Sequence, residues 1–177
     1  MRTKSSKARP ILYILLFVFL FLCEFVFTPL YLFGICPRYI LCGVVGLAMY
    51  ENEKYASIFG LVFGLLSDFA SGGLFGFNAI VYILAGYLVS YFVAGTWRKN
   101  FLNATISVCL VTIICDTLTL FISMLQYDTS VVNIWGILGK IMLPKLMMTA
   151  AVHVFIYFLI KKIATNKKWR SYDEIYY

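Results

Sequence analysis

Six apolar segments occupy most of the chain and constrain its fold more than any motif does. They are Ile11–Phe33, Pro37–Tyr50, Tyr55–Phe69, Phe77–Gly95, Phe101–Gln126 and roughly Trp135–Ile160. The breaks between them are short: Gly-Ile-Cys-Pro, Glu-Asn-Glu-Lys, Ser-Gly-Gly, Thr-Trp-Arg-Lys-Asn and Gln-Tyr-Asp-Thr-Ser. Of 177 residues, 62% are hydrophobic and 13% charged. A soluble domain of about 150 residues still exposes roughly a third of its unfolded surface to water, and this composition has too little polar surface to cover it. Lipid must therefore be the solvent for most of the chain. Hydrocarbon forces the backbone to bond to itself, which leads to helices. The expected fold is an all-α, polytopic integral membrane protein of about six transmembrane helices. Segments two and three are short against the ~20 residues of a perpendicular span, so a re-entrant hairpin is the alternative for that pair.

The net charge of +7 is concentrated at the ends. Arg2, Lys4, Lys7 and Arg9 precede the first segment, and Lys161, Lys162, Lys167, Lys168 and Arg170 follow the last. Basic clusters flanking apolar runs mark the cytoplasmic edges of membrane helices and do not read as a nucleic-acid patch. With six spans and the N-terminus inside, Lys54, Arg98 and Lys99 also become cytoplasmic, and only Arg38, Lys140 and Lys145 fall elsewhere. An even number of spans with both termini in the cytoplasm follows from the positive-inside rule. The first segment is too long for a signal-peptide core and no small-x-small site follows it, so it is read as an uncleaved helix. The organisation is a basic N-terminus over 1–10, a six-helix transmembrane domain over 11–160 and a basic tail over 161–177.

Catalytic chemistry has little to draw on. Cys23, Cys36, Cys42, Cys109 and Cys115 form no C-x-x-C pair, and the single histidine, His153, gives a zinc site almost no support. Neither G-x-S-x-G nor H-E-x-x-H occurs. No enzyme, cofactor or metal is expected. Ser71–Gly76, Ser-Gly-Gly-Leu-Phe-Gly, lacks the Lys-Ser/Thr of a phosphate loop and reads as a tight turn between membrane helices.

One carboxylate inside the apolar sequence needs an explanation. Ser57, Gly60, Gly64 and Ser67 recur at three- and four-residue steps, and Asp68 continues that stripe. Gly60-x-x-x-Gly64 is a close-approach pattern for membrane helices. Beyond the glycines Gly72, Gly73 and Gly76, a second stripe of Asn78, Tyr82 and Gly86 repeats every four residues. The expectation is that Asp68 accepts hydrogen bonds from the amides of Ser71–Gly73 and from Asn78 or Tyr82, pinning a hairpin; an ion or proton site is the rival. Glu24, Asp116 and Lys145 lie at matching depths in segments one, five and six. A cluster would lower the cost of each charge, as a structural lock, a partner socket or a proton relay. Lys140 is expected to snorkel to the outer interface.

These residues carry a resemblance. Gly64-Leu-Leu-Ser-Asp68, Ser71-Gly-Gly73, Gly76-Phe-Asn78-Ala79 and Gly86-Tyr87 resemble the central signature of the MreD family of bacterial rod shape-determining membrane proteins. Phe33-Gly-Ile-Cys-Pro37 and Pro144 fit as well. The departures are Glu24, where the family often has glutamine, Arg38 after Pro37, and Thr149 after Pro144. The resemblance implies a non-enzymatic subunit of the cell-elongation machinery in the bacterial cytoplasmic membrane. It would partner an MreC-like protein, a RodA-like glycosyltransferase and a penicillin-binding transpeptidase, and the MreB filament indirectly. It also implies a helical bundle similar to the substrate-binding S-components of energy-coupling-factor transporters. The alternative function is therefore a membrane subunit binding a vitamin. Leu15–Leu22 holds only large aliphatic and aromatic residues where such a subunit needs small ones, which disfavours that role.

Overall fold

Each apolar segment folds as a helix, as hydrocarbon demands of the backbone. The computed structural model describes residues 8–27, 36–72, 75–95, 100–126 and 138–165. Gly73, Arg98, Lys99, the 127–137 connection and the basic residues of 1–7 and 166–177 lie outside the described residues. Helix α1 runs Ala8–Leu22 and continues into a π-helical turn, Cys23–Phe27; α2 is Tyr39–Ala48, α3 Glu53–Ser71, α4 Phe77–Gly95 and α5 Phe101–Gln126. Helix α6 is Leu143–Thr165, preceded by a π-helical turn at Leu138–Met142. Among the described residues there are six helices and no strand. Among the described residues, three stretches are long and apolar enough to cross a bilayer: Arg9–Val26, Phe101–Phe121 and Gly139–Thr165.

The shortest helix occupies the middle. Helix α2 has ten residues, every one buried. At 1.5 Å per residue it is about 15 Å long, half the thickness of a hydrocarbon core. Its sequence, Tyr-Ile-Leu-Cys-Gly-Val-Val-Gly-Leu-Ala, is apolar on every side, as a helix surrounded by others must be. All five other helices pack against it. Gly43 lets the Leu20 side chain of α1 press onto the α2 backbone, and Gly46 does the same for Ile160 of α6. Around this pillar Phe17 of α1 meets Phe59 and Phe63 of α3, with ring centroids 5.0 Å apart in each case. The outward faces remain apolar: Leu15, Ile58, Leu84, Ile114 and Phe155 are all exposed, as lipid-facing residues are in a solvent as greasy as themselves.

Polar contacts clasp the end of the bundle that carries Arg9. Glu51, in the turn between α2 and α3, pairs with Arg9 at 3.3 Å and accepts the Tyr13 hydroxyl at 2.7 Å. Arg9 also donates to the Ala164 carbonyl of α6 at 2.8 Å, and Ser90 of α4 donates to the Glu51 carbonyl at 3.2 Å. Tyr50 donates to the Tyr157 hydroxyl at 2.7 Å. One turn thus ties α1, α4 and α6 to the two helices it joins. Fifteen residues of α1 and its π turn, about 22 Å of helix, separate this layer from a second one near Glu24.

Candidate functional site

The second layer starts from the α3–α4 hairpin. These two helices meet backbone to backbone, because small residues line both faces. A Cβ on Gly60 would stand 2.5 Å from the Tyr82 carbonyl oxygen, one on Gly64 2.5 Å from the Ala79 Cα, and one on Gly86 2.9 Å from the Ala56 backbone. No side chain can retreat from such a contact. Between the helices Gly72 (φ +63°) and Gly76 (φ +89°) take left-handed conformations that close the turn.

Asp68 sits at the end of this seam, 3% exposed. Its carboxylate accepts the backbone amides of Gly76 (3.0 Å), Asn78 (3.0 Å) and Ala79 (3.2 Å). Those are unpaired donors at the start of α4, so the last turn of α3 caps the next helix. The negative charge also faces the positive end of the α4 dipole. Asn78 donates as expected, while Gly76 and Ala79 are not in the expected set and Gly73 lies outside the described residues. Ser71 donates its hydroxyl to the Asp68 carbonyl, at 3.3 Å, and not to the carboxylate. Tyr82 is fully buried beside Arg38, its hydroxyl without a hydrogen bond of good geometry. The reason is directional: amides at the end of α3 point back along their own helix, whereas those opening α4 point at the carboxylate.

The Asn78 side chain extends the layer, accepting from the Arg38 guanidinium at 3.5 Å. Arg38 precedes α2 directly and reaches Asp116 of α5, with Nη2 at 2.7 Å and Nε at 3.2 Å from one carboxylate oxygen. Lys145 of α6 contacts the same oxygen at 2.8 Å. Side-chain exposures are 13% for Arg38, 22% for Lys145 and 8% for Asp116. Glu24 accepts the Ile40 amide at 2.8 Å and so caps α2 from the π turn of α1. It lies close enough to Arg38 and Lys145 to feel both charges but pairs with neither. Four charges of alternating sign thus sit together inside the bundle, where isolated ones would be costly.

Of the residues singled out in sequence, Asp116 and Lys145 are joined directly, and Asp68 and Asn78 are linked to them through Arg38. Gly73 is outside the described residues. Lys140 is exposed. Arg38 is not among the residues that the sequence pattern singles out, because a six-span topology puts it outside the cytoplasmic parts with no partner in view. The available signal was its position at the mouth of a segment too short to span, which draws its first residue inward. Thr149 was missed as a contact too: its hydroxyl donates to the Lys145 carbonyl at 2.7 Å and accepts the Arg38 amide at 3.5 Å.

Chemically, the layer fastens. Asp116 holds two cations that belong to α2 and α6, while two carboxylates cap α2 and α4. Among the described residues no group of His, Cys, Asp and Glu could hold a metal ion. A family model described as rod shape-determining protein MreD matches residues 4–166, nearly the whole chain. No curated protein and no solved structure matches it significantly.

Proposed function

The chain belongs to the MreD family of rod shape-determining proteins, and from that premise we propose that it acts as a non-enzymatic docking subunit of the bacterial cell-elongation machinery. Its role is to hold an MreC-like protein beside a RodA-like glycosyltransferase and a penicillin-binding transpeptidase, and through them to reach the MreB filament. It resides in the cytoplasmic membrane as a multi-pass protein with both termini in the cytoplasm, the Arg9 end of the bundle inward. The observation that carries this reading is how the interior charges are used. Asp68, Arg38, Asp116 and Lys145 each bond to another helix of the same chain, so they serve rigidity, and the faces left for partners are apolar.

A groove of about 440 Å³ between α1 and α6 is a fitting seat for the single membrane helix of an MreC-like protein. Phe19, Leu20, Cys23, Val152, Phe155 and Leu159 line it, and α1 touches α6 only sparingly there. In lipid, helices associate by packing ridges into such grooves. Affinity purification from mild detergent tests the proposal. Co-elution of MreC-like and RodA-like proteins is expected, weakened for the former by Phe155→Ala. Tight capture of a vitamin, with no such partners, would support the transport alternative instead.

A further inference from the structure

Between the two polar layers, one face of α6 carries a file of polar side chains. Lys145, Thr149, His153 and Tyr157 are four residues apart on α6 and so lie on one face, about 6 Å of helix between neighbours. At one end Lys145 meets Asp116. At the other, the Tyr157 hydroxyl accepts that of Tyr50, and Tyr50 lines an open vestibule of about 430 Å³ together with Glu51, Glu53 and Ser90. Between them His153 is completely buried, its ring 6.0 Å from that of Tyr157. Neither ring nitrogen has a hydrogen-bond partner of good geometry, although the Cys42 carbonyl is close enough to interact with one of them. That carbonyl can serve one nitrogen only. The other is then an unmet polar atom in the middle of an apolar bundle, and so is the Thr112 hydroxyl, one turn from Asp116 on α5. Unmet buried groups of this kind are where proteins keep water.

We propose that this file is a hydrated proton path through the bundle, running from the vestibule past Tyr50 and Tyr157 to the Asp116–Lys145 pair, with His153 as the group that takes up and returns the proton. Water delivers a proton to the ring nitrogen left unmet, and the nitrogen beside the Cys42 carbonyl gives its own to water on the opposite side as it leaves that carbonyl. Only N–H and O–H bonds form and break, so nothing is oxidised or reduced. Histidine suits this because one nitrogen accepts while the other donates, and ionisable groups aligned inside a membrane bundle mark such routes. Among the described residues, Cys42 of α2 faces the ring through its carbonyl and Tyr157 of its own helix through its ring, while the Cys42 thiol donates to the Thr149 carbonyl. Cys42 in turn adjoins Cys109 of α5 and Glu24. The proposal goes beyond docking and does not depend on it.

The full chain, reconstituted in phosphatidylethanolamine–phosphatidylglycerol vesicles with a trapped pH dye, is driven by a potassium diffusion potential. Proton entry faster than in protein-free vesicles is expected, with His153→Phe falling to the protein-free rate and Tyr157→Phe in between. Wild-type entry no faster than in empty vesicles, or His153→Phe as fast as wild type, would overturn it. Since His153 is the one histidine in the sequence, selective ¹⁵N labelling of the unaltered protein gives a second readout that no folding defect can confuse. Ring signals that shift with bath pH and exchange with deuterated water are expected; a ring insensitive to both would refute the path.

Discussion

Removing the Asp68 carboxylate should loosen the α3–α4 hairpin by an amount that can be worked out. Three amides at the start of α4 would lose their acceptor. A hydrogen bond to a charged group contributes about 1.5–3 kcal/mol, and losing an N-cap costs about 0.5–2 kcal/mol. Three donors share two oxygens here, and the turn residues Ser71 and Gly72 are exposed, so water can replace part of what is lost. A loss of about 3 kcal/mol for Asp68→Ala is a reasonable sum of the bonds and the dipole interaction. At roughly 2–4 °C per kcal/mol for a chain of this size, the melting temperature should fall by about 6–12 °C. Asp68→Asn keeps one acceptor oxygen and loses the charge, which should limit its loss to about 1–2 kcal/mol. Thermal loss of monodisperse elution in detergent measures all three proteins. An alanine variant melting within about 2 °C of wild type would refute the capping argument. So would asparagine and alanine variants that melt together.

Three further outcomes follow from the geometry. Gly64→Val drives a side chain into the Ala79 backbone and should cost about 1–3 kcal/mol or more, whereas Gly139→Ala, with nothing within 4 Å of the new Cβ, should stay within about 0.5 kcal/mol in the same melt. Asp116→Ala strands Arg38 and Lys145 together and should cost about 3–5 kcal/mol, while Asp116→Leu combined with Arg38→Met and Lys145→Met should regain most of it; a triple variant as unstable as the single one would contradict this. Glu51→Gln breaks the mostly buried pair with Arg9 but keeps an acceptor for Tyr13; its cost should be about 1–3 kcal/mol and change little with salt, because a buried pair is weakly screened, read from melts at two ionic strengths.

Much of the helical framework was readable residue by residue. The segments drawn as Phe77–Gly95 and Phe101–Gln126 are α4 and α5 to the residue, because helices in lipid end where apolar runs end. The brevity of Pro37–Tyr50 was visible as well, but its consequence was not. That segment holds a ten-residue helix, a pillar enclosed by the five others. The polar layer was half legible. Asp116 and Lys145 could be paired by depth, since each lies near the middle of its segment. The third member, Arg38, could not, because its depth depends on how far the short α2 is drawn inward.

Hydropathy is a property of a segment in its solvent, so composition alone determined that this chain lives in lipid and folds into helices there. The spacing of Gly60, Gly64 and Gly86 likewise marked faces suited to close packing, since helical periodicity converts sequence interval into direction. Which amides turn toward Asp68, which cations converge on Asp116, and how His153 comes to lie between the two layers were decided by tertiary structure alone. Hydrogen bonds depend on angles and on neighbours distant in sequence, and those exist only once the five other helices have taken their places around α2.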